Sequence, residues 1–259
     1  MEYRVKVMPK KKRRMLQFHT PMKAPYGLPI IESCLTCPLA KDRIFCDLPK
    51  PALAALDSIS SSAIYPKDAF LFVEGQDPRG VFILCNGRVK LTTNSADGKS
   101  IIARIAEPGE VVGLAGTISG KPYELTAEAL EPLQANFVPR DAFLQFLRQY
   151  GEAAVRVAQI LSDIYHATLV EVRYLGFSSS SAEKLARFLL DLPASSIPGN
   201  GHLRTMLTLT HKEIGQMIGA SRETVTRLFA HFKRQGLIEV HGASLVITSR
   251  PSLEKLLDI

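Results

Sequence analysis

The chain has 259 residues, of which 46% are hydrophobic and 22% are charged, and this length allows two domains with separate cores. No apolar run is long enough for a transmembrane helix, and a net charge of +7 suits a polyanionic partner such as nucleic acid. We expect no enzyme, because the sequence offers no HExxH motif, no phosphate-binding glycine loop, no dinucleotide fingerprint and no recognisable nucleophile–base pair.

Residues 1–33 are predicted to form a basic, disordered arm. The first fourteen residues hold seven lysines and arginines against one glutamate, and several prolines follow. This composition disfavours a folded core, and no apolar segment typical of a signal peptide precedes it, so we expect a cytoplasmic protein. The arm is either a phosphate-binding tether that adds salt-sensitive affinity for nucleic acid, or a solvated leader without that role.

Three of the four cysteines lie within thirteen residues, in the segment CLTCPLAKDRIFC. Cys34 and Cys37 have the two-residue spacing that lets two thiolates face one metal ion or cluster, and Cys46 follows after eight residues. A structural disulfide is disfavoured in a reducing compartment. The segment therefore predicts an iron–sulfur cluster, a zinc ion or a thiol redox switch, with inert cysteines as the remaining alternative.

The fourth candidate ligand, Cys85, lies far along the chain in the apolar run VFILCNGRV. This run shows no alternation, so the sequence does not decide which way the Cys85 side chain points. A buried, unreactive cysteine would fit the run as well. If Cys85 is not a ligand, a carboxylate such as Asp42 or Asp47 is the alternative fourth group.

Residues 64–139 and 143–175 show two different patterns. The first range breaks into short β-branched and aromatic runs separated by glycines, which is typical of an antiparallel barrel or jelly roll. In the second range, which is interrupted at Gly151, apolar residues recur mostly every three or four positions. The recurring residues are Leu147, Ala154, Val157, Leu161, Ile164 and Thr168. This stripe predicts a long dimerisation helix, with packing inside one subunit as the alternative, and a flexible joint, GFSSSS, follows at residues 176–181.

Two short helices separated by a glycine-containing turn are predicted between Thr210 and Phe232. Thr210 and Glu213 can form a capping box for the first helix, and Gly219 is placed to end it. Ser221 can cap the second helix, in which apolar residues recur at helical spacing. The pattern predicts a helix-turn-helix, and a short hairpin predicted at residues 238–247 would be its wing.

The exposed face of the second helix carries the candidate DNA-reading residues, which are Arg222, Glu223, Thr226 and Arg227. An arginine can bond a guanine edge in two places, and a carboxylate can accept from a cytosine amino group. Phosphate would repel Glu223, so this face favours base reading over adhesion to the DNA backbone. An ordinary solvated helix face is the alternative.

The run EIGQMIGASRETVTRLF and the following GLIEV resemble the DNA-binding domain of the Crp/Fnr family of bacterial transcription regulators. The resemblance extends from about Cys34 to the end of the chain. It implies an α+β fold with a cyclic-nucleotide-binding-like antiparallel β-barrel or jelly roll, a long dimerisation helix and a C-terminal winged helix-turn-helix. The implied boundaries are 34–147 for the cysteine loop and barrel, 148–178 for the dimerisation helix and hinge, and 179–259 for the DNA-binding domain.

The resemblance also implies partners. In the family, the residues matching Arg222, Glu223 and Arg227 read the bases of a two-fold DNA operator, and the Fnr-like branch has a serine at the position of Thr226. A regulator of this kind is a homodimer and contacts RNA polymerase if it is an activator. No membrane partner is implied.

The cysteines resemble the N-terminal loop of the oxygen-sensing Fnr branch, where three cysteines and a fourth in the sensory domain hold a [4Fe-4S] cluster. That branch has five residues between its second and third cysteines rather than eight, and its fourth cysteine lies in a strand that corresponds to residues 133–139, which contain none. Cys85 is the candidate replacement. The resemblance implies a redox sensor with four cluster ligands, namely Cys34, Cys37, Cys46 and Cys85. The alternative is a regulator that binds a small-molecule effector in the barrel, with zinc or a thiol switch at the cysteines.

Binding of cAMP is not expected. Nucleotide-binding relatives open a phosphate cassette with a Gly-Glu pair, matched here by Gly109 and Glu110, and complete it with an Arg-Ser pair. The later segment here reads GKPYELTAEA, so no arginine neutralises a cyclic phosphate at that position. Arg104 or Lys121 is the residue that could compensate.

Overall fold

The structure is a computed structural model of the chain, and it describes residues 25–37, 40, 43, 45–95, 98–177, 180–192, 195–196 and 202–257. Most of the basic arm lies outside these described residues. The end of the arm contacts the barrel: Ile31 exchanges two hydrogen bonds with the side chain of Gln134, and the carbonyl of Pro29 accepts one from Asn86. In the described part of the chain, no helix is both long and apolar enough to cross a lipid bilayer.

The first domain is an antiparallel β-barrel, as predicted. Between residues 61 and 139, all described except 96 and 97, eight strands form two four-stranded sheets with the orders β1-β8-β3-β6 and β2-β7-β4-β5. The strands are β1 (Ser61–Tyr65), β2 (Phe70–Phe72), β3 (Gly80–Asn86), β4 (Val89–Asn94), β5 (Ser100–Ala106), β6 (Val111–Val112), β7 (Thr126–Ala129) and β8 (Leu133–Pro139). Buried residues of both sheets meet in the barrel interior, among them Phe72, Leu84 and Ala129.

A second core lies on the outer face of the sheet that contains β3. Helices α1 (Lys50–Ile59), α2 (Leu114–Ser119), α3 (Arg140–Gln149) and α4 (Gly151–Phe177) all contribute to it. Val81 and Ile83 of β3 belong to this outer core, whereas Phe82 and Leu84 belong to the barrel interior. Strand β3 is therefore covered on both faces, which explains why its sequence is apolar without alternation.

The long helical pattern forms two helices, because Tyr150 leaves the helical conformation (φ −117°, ψ 84°) beside Gly151. The apolar stripe predicted for dimerisation faces its own subunit in part: Val157 is buried in the outer core, and Leu161 packs against that core. Another stripe is exposed and follows heptad spacing. It consists of Val155, Ala158, Ser162, Tyr165, Leu169 and Val172.

The second domain is a winged helix. Its helices are α5 (Ser181–Asp191), α6 (His211–Ile218), α7 (Arg222–Arg234) and α8 (Arg250–Glu254). Its strands are β9 (Ser195–Ser196), β10 (Leu203–Met206), β11 (Ile238–His241) and β12 (Ser244–Ile247), in the order β11-β12-β10-β9. The two domains touch where α6 lies against β5, and Arg88 of the barrel donates a hydrogen bond to Thr208 over 2.9 Å. Glu131 holds the Arg88 guanidinium with both carboxylate oxygens, at 2.9 and 3.1 Å.

Candidate nucleic-acid interface and cysteine site

The helix-turn-helix is held by local caps that the sequence predicted. The hydroxyl of Thr210 accepts from the Glu213 amide at 3.2 Å, and the Glu213 carboxylate accepts from the Thr210 amide at 2.7 Å, so the capping box is confirmed. Gly219 then ends α6 with φ +67°, a conformation that favours glycine. Ser221 caps α7 by accepting from the Thr224 amide at 3.1 Å. These caps set the sharp turn between the two helices.

The polar face of α7 is exposed, as a DNA-reading face requires. Val225, Phe229 and Phe232 are buried on the opposite side and fix the helix to its domain. The exposed side carries the four candidate residues Arg222, Glu223, Thr226 and Arg227. The pKa of Glu223 is lowered by hydrogen bonds from its own backbone N–H and from Ser221, so a carboxylate stands at the N-terminal end of α7. The structure brings all four side chains to one surface.

A histidine that the sequence analysis did not single out joins this face. His211, the first residue of α6, places Nδ1 2.9 Å from the Thr226 hydroxyl on α7. Its ring stacks on Phe229, with 4.8 Å between centroids and 23° between planes. Partial burial lowers the pKa of His211, and the nearby charges of Arg222 and Lys233 lower it further, which favours the neutral ring. No local pattern signals this contact, because its partners are fifteen residues apart.

The cysteine loop is anchored on α1. Cys34 starts a short 3-10 helix that Ser33 caps, and the carboxylate of Asp57 accepts from the Ser33 hydroxyl and the Cys34 amide, both at 2.9 Å. Asp57 lies within α1, so a rigid helix fixes the start of the loop. Of the alternative carboxylate ligands, Asp47 lies 3.8 Å from Arg156 in an ion pair, and Asp42 lies outside the described residues.

Cys85 lies in an irregularity of the sheet that the sequence could not reveal. Strands β3 and β8 pair Ile83 with Asn136 and Leu84 with Ala135, and the register then shifts before Asn86. Cys85 is the residue left over at this β-bulge, a feature that re-aims a side chain. The resemblance to the Fnr-like branch located the fourth cysteine in the strand equivalent to β8, where Asn136 lies. Cys85 is therefore on the neighbouring strand, next to the expected position.

Asn136 connects two of the thiols. Its side-chain amide donates to the Cys34 sulfur over 3.5 Å, and its backbone N–H acts on Cys85 in the direction that favours the thiolate. The Oδ1 atom of Asn136 is buried without a hydrogen-bond partner among the described residues. An acceptor of this kind is satisfied by a donor such as a buried water, because cluster sulfurs and thiolates are themselves acceptors.

All four cysteines interact electrostatically. The pKa of Cys34 is raised to about 12, chiefly by burial and also by the charges of Cys85, Asp57 and Cys46. The pKa of Cys85 is also raised to about 12, chiefly by burial, with Cys46 and Cys37 contributing and Arg43 opposing. The pKa of Cys46 rises to about 11, again chiefly through burial. Two contacts place the cysteine loop against the sheet: the Asn136 amide lies 3.5 Å from the Cys34 sulfur, and Arg43 donates to the backbone carbonyl of Cys85.

The donor set fits a cluster in number and chemical type, because [4Fe-4S] clusters take four cysteine thiolates. Among the described residues, no three His, Cys, Asp or Glu side chains are grouped tightly enough for one metal ion. Zinc–sulfur bonds of about 2.3 Å would draw the sulfurs to within about 4 Å of one another. In a [4Fe-4S] cluster each cysteine binds a different iron, so the four cysteine sulfurs would lie further apart than around a single metal ion.

The cysteine loop faces α4 across a cavity. Arg43 donates to the backbone carbonyl of Cys85 over 3.1 Å, and its aliphatic stem covers Gly109, where an added Cβ would lie 2.3 Å from Arg43. A cavity of about 280 Å³ separates this layer from α4. Arg43 and Phe45 form one wall, and Ile160, Asp163 and Ile164 form the other.

The barrel interior at the cassette position is filled by protein. Tyr123 is buried, its ring stacks on Phe72 with 4.1 Å between centroids, and its hydroxyl donates to the Gly80 carbonyl at 2.6 Å. Glu110, the cassette glutamate, is ion-paired with Arg104. Arg104, one of the two residues that could replace the missing arginine, is therefore already engaged by Glu110.

A β-barrel, a long helix with an exposed heptad stripe and a winged helix with an exposed polar face are together typical of a DNA-binding transcription regulator. Residues 63–150 match the cyclic nucleotide-binding domain family, and residues 183–256 match the Crp-like helix-turn-helix domain family. The chain belongs to the Crp/Fnr family of DNA-binding transcription regulators, whose members act as dimers and are not enzymes.

Individual relatives agree with this assignment. The chain is 27% identical to the CRP-like cAMP-activated global transcriptional regulator of Mycobacterium tuberculosis, over 84% of this chain and 97% of that protein. It is 28% identical to the transcriptional activator protein FnrA of Stutzerimonas stutzeri, over 83% of this chain and 88% of that protein. The solved structure of FixK2 from Bradyrhizobium japonicum has the same fold, with a TM-score of 0.64 and 24% identity over 78% of this chain and 98% of that chain.

Proposed function

We propose that this regulator binds a two-fold DNA operator as a homodimer and that a [4Fe-4S] cluster, held by its four cysteines, sets its operator affinity according to oxygen or redox state. The observation that carries the proposal is that the loop with Cys34, Cys37 and Cys46 packs against the sheet that holds Cys85: Asn136 donates to the Cys34 sulfur over 3.5 Å, and Arg43 donates to the Cys85 carbonyl over 3.1 Å. The resemblance of the cysteine loop to the Fnr-like branch supports the same reading.

The raised pKa values explain why the thiols need a metal partner. With pKa values of about 11 to 12, Cys34, Cys46 and Cys85 are neutral thiols at pH 7 when no cation is present, and neutral thiols react slowly with oxidants. A cluster bound by Cys34, Cys37, Cys46 and Cys85 would supply the positive charge that stabilises the thiolates, and it would form an oxygen-sensitive link between loop and barrel. Asn136 then donates to the Cys34 sulfur, and Asp57 holds the loop in register on α1.

DNA reading is assigned to α7. We propose that Arg222, Glu223 and Arg227 contact base edges in the major groove and that Thr226 lies among them. The support is their shared exposure on the N-terminal half of a helix whose other face is buried. The exposed heptad stripe of α4 would join two copies, so that two α7 helices face the two halves of an operator. A contact with RNA polymerase follows if the regulator is an activator.

The experiment that tests the sensor proposal is an anaerobic visible spectrum of the purified protein, combined with counts of iron, zinc and acid-labile sulfide per chain. We expect a brown protein with about four irons and four sulfides per chain, the composition of one [4Fe-4S] cluster. Anaerobic reconstitution that yields zinc but neither iron nor sulfide would show that the loop is a structural metal site.

A second candidate function is regulation by a small molecule in the barrel, with zinc or a thiol switch at the cysteines. The 27%-identical relative that is cAMP-activated favours an effector of this type. The filled cassette region argues against cAMP itself, because Tyr123 occupies the interior and Arg104 is engaged by Glu110. A metabolite that raises the melting temperature of the metal-free protein would support this second function.

A further inference from the structure

The hydroxyl of Thr226 is engaged within the protein. Its oxygen lies 2.9 Å from the carbonyl of Arg222, one turn earlier in α7, and donates its hydrogen there. The same oxygen lies 2.9 Å from His211 Nδ1. With the hydroxyl hydrogen on the Arg222 carbonyl, the oxygen acts as the acceptor towards His211, and this pairing requires the tautomer that carries its hydrogen on Nδ1. In this arrangement Thr226 has no hydrogen left to donate to DNA.

His211 is itself held in place. Its ring is stacked on Phe229, which is buried, and the stacking leaves the ring little freedom to turn away from Thr226. The contact joins the start of α6 to the exposed face of α7, across the turn of the helix-turn-helix. A side chain from the first helix thus fixes the rotamer of a side chain on the reading helix.

We infer that His211 is a positioning residue that fixes Thr226 so that its methyl group, and not a hydroxyl donor, faces the bases and selects a thymine. A methyl group contacts the thymine C5-methyl favourably and offers nothing to the other bases in the major groove. The inference rests on the proposed DNA-reading role of α7. A methyl contact from Thr226 would also distinguish this chain from relatives with a serine at this position, because serine has no methyl group.

The methyl contact is tested with the full-length protein and the duplex that it enriches most strongly from a randomised pool under anaerobic conditions. Each thymine of one half-site is replaced in turn by uracil, which removes only the methyl group. We expect one position to lose about fourfold in affinity, the value of one buried carbon group. Thr226→Ser should remove this thymine preference. Thr226→Val should retain it, because valine keeps the methyl group and holds one rotamer in a helix without the contact to His211. A thymine preference that Thr226→Ser keeps and Thr226→Val loses would show that the hydroxyl contacts DNA, and the inference would be wrong.

The positioning role is tested separately. His211→Ala should weaken the thymine preference, and His211→Asn, which can again donate a hydrogen bond, should restore part of it. His231→Ala, on the same reading helix but outside this contact, is the matched control. A long-range proton–nitrogen spectrum of the DNA-free protein gives an independent readout: we expect the hydrogen of His211 on Nδ1, and a hydrogen on Nε2 alone would overturn the inference.

Failure of the proposed function and failure of this inference give different results. If α7 does not read bases, Arg227→Ala and Thr226→Ser both leave the base preferences unchanged, and the inference fails with the function. If α7 reads bases but Thr226 is not positioned as inferred, Arg227→Ala still relaxes the sequence preference at one base pair. In that case His211→Ala has no effect on the thymine preference.

Discussion

The side-chain amide of Asn136 donates to the sulfur of Cys34 over 3.5 Å, and this contact joins the cysteine loop to the sheet that contains Cys85. Asn136→Ala should speed the loss of a bound cluster, because residues that hydrogen-bond to metal ligands typically contribute tenfold to a hundredfold in metal affinity. The decay of visible absorbance in air measures this effect. Asn94→Ala, at an exposed strand end, is the control, and equal decay rates for the two variants would exclude a role for Asn136.

Replacing Cys85 separates a ligand from a core residue. Cys85→Ser should lower iron and sulfide as strongly as Cys34→Ser does, and it should abolish the response of DNA binding to oxygen. Metal analysis and an anaerobic binding assay measure the two effects. A Cys85→Ser protein with its full iron and sulfide content would show that Cys85 belongs to the core and that another group completes the site.

Asp57 should stabilise the cysteine loop even without a metal. Asp57→Asn keeps the size of the side chain but removes the charge from two hydrogen bonds, to the Ser33 hydroxyl and the Cys34 amide. We expect the free energy of unfolding to fall by about 1–3 kcal/mol. Urea unfolding of the metal-free protein measures this change. Asp77→Asn, in an exposed turn, is the matched substitution and should have little effect.

Arg227 should contribute specificity as well as affinity. Arg227→Ala is expected to cost about 1–3 kcal/mol on the preferred operator and to relax the preference at one base pair. Binding to a panel of single-base variants of the operator measures both effects. Arg234→Ala, at the other end of α7, serves as the comparison. A loss for Arg227→Ala that is uniform across the panel would identify Arg227 as a phosphate contact.

The protein should not respond to cAMP. Tyr123 fills the interior beside the cassette, and the Glu110 carboxylate is already bound by Arg104, so a cyclic phosphate would meet no free arginine there. We expect millimolar cAMP to leave the melting temperature and the operator affinity unchanged. Stoichiometric heat release in a calorimetric titration would contradict this prediction.

Local signals in the sequence predicted local structure well. The capping box of Thr210 and Glu213 and the turn at Gly219 depend on residues a few positions apart, so the helix-turn-helix was readable from the chain alone. The sequence did not show which side of α4 faces the barrel. Val157 fits a dimer seam by spacing, but it is buried in its own subunit because the outer core of the barrel needs an apolar helix face.

The functional sites were predictable only in part, for a related reason. Residue type and spacing indicated Cys34, Cys37 and Cys46, but the orientation of Cys85 depends on a bulge between strands that are 50 residues apart. The contact of His211 with Thr226 likewise depends on the angle between two helices. Contacts of this kind arise from packing and leave no periodic trace in the sequence.

The hydrogen bond from Arg88 to Thr208 has a consequence for how little energy is needed to move the reading domain. A single exposed hydrogen bond contributes about 0.5–1.5 kcal/mol, which biases two arrangements of the domains by a factor of roughly two to thirteen. Glu131 holds the Arg88 guanidinium with both carboxylate oxygens, so the donor is already positioned for Thr208. The bond adds this bias to the contact between α6 and β5, and a signal that breaks it shifts the balance between domain arrangements by the same factor.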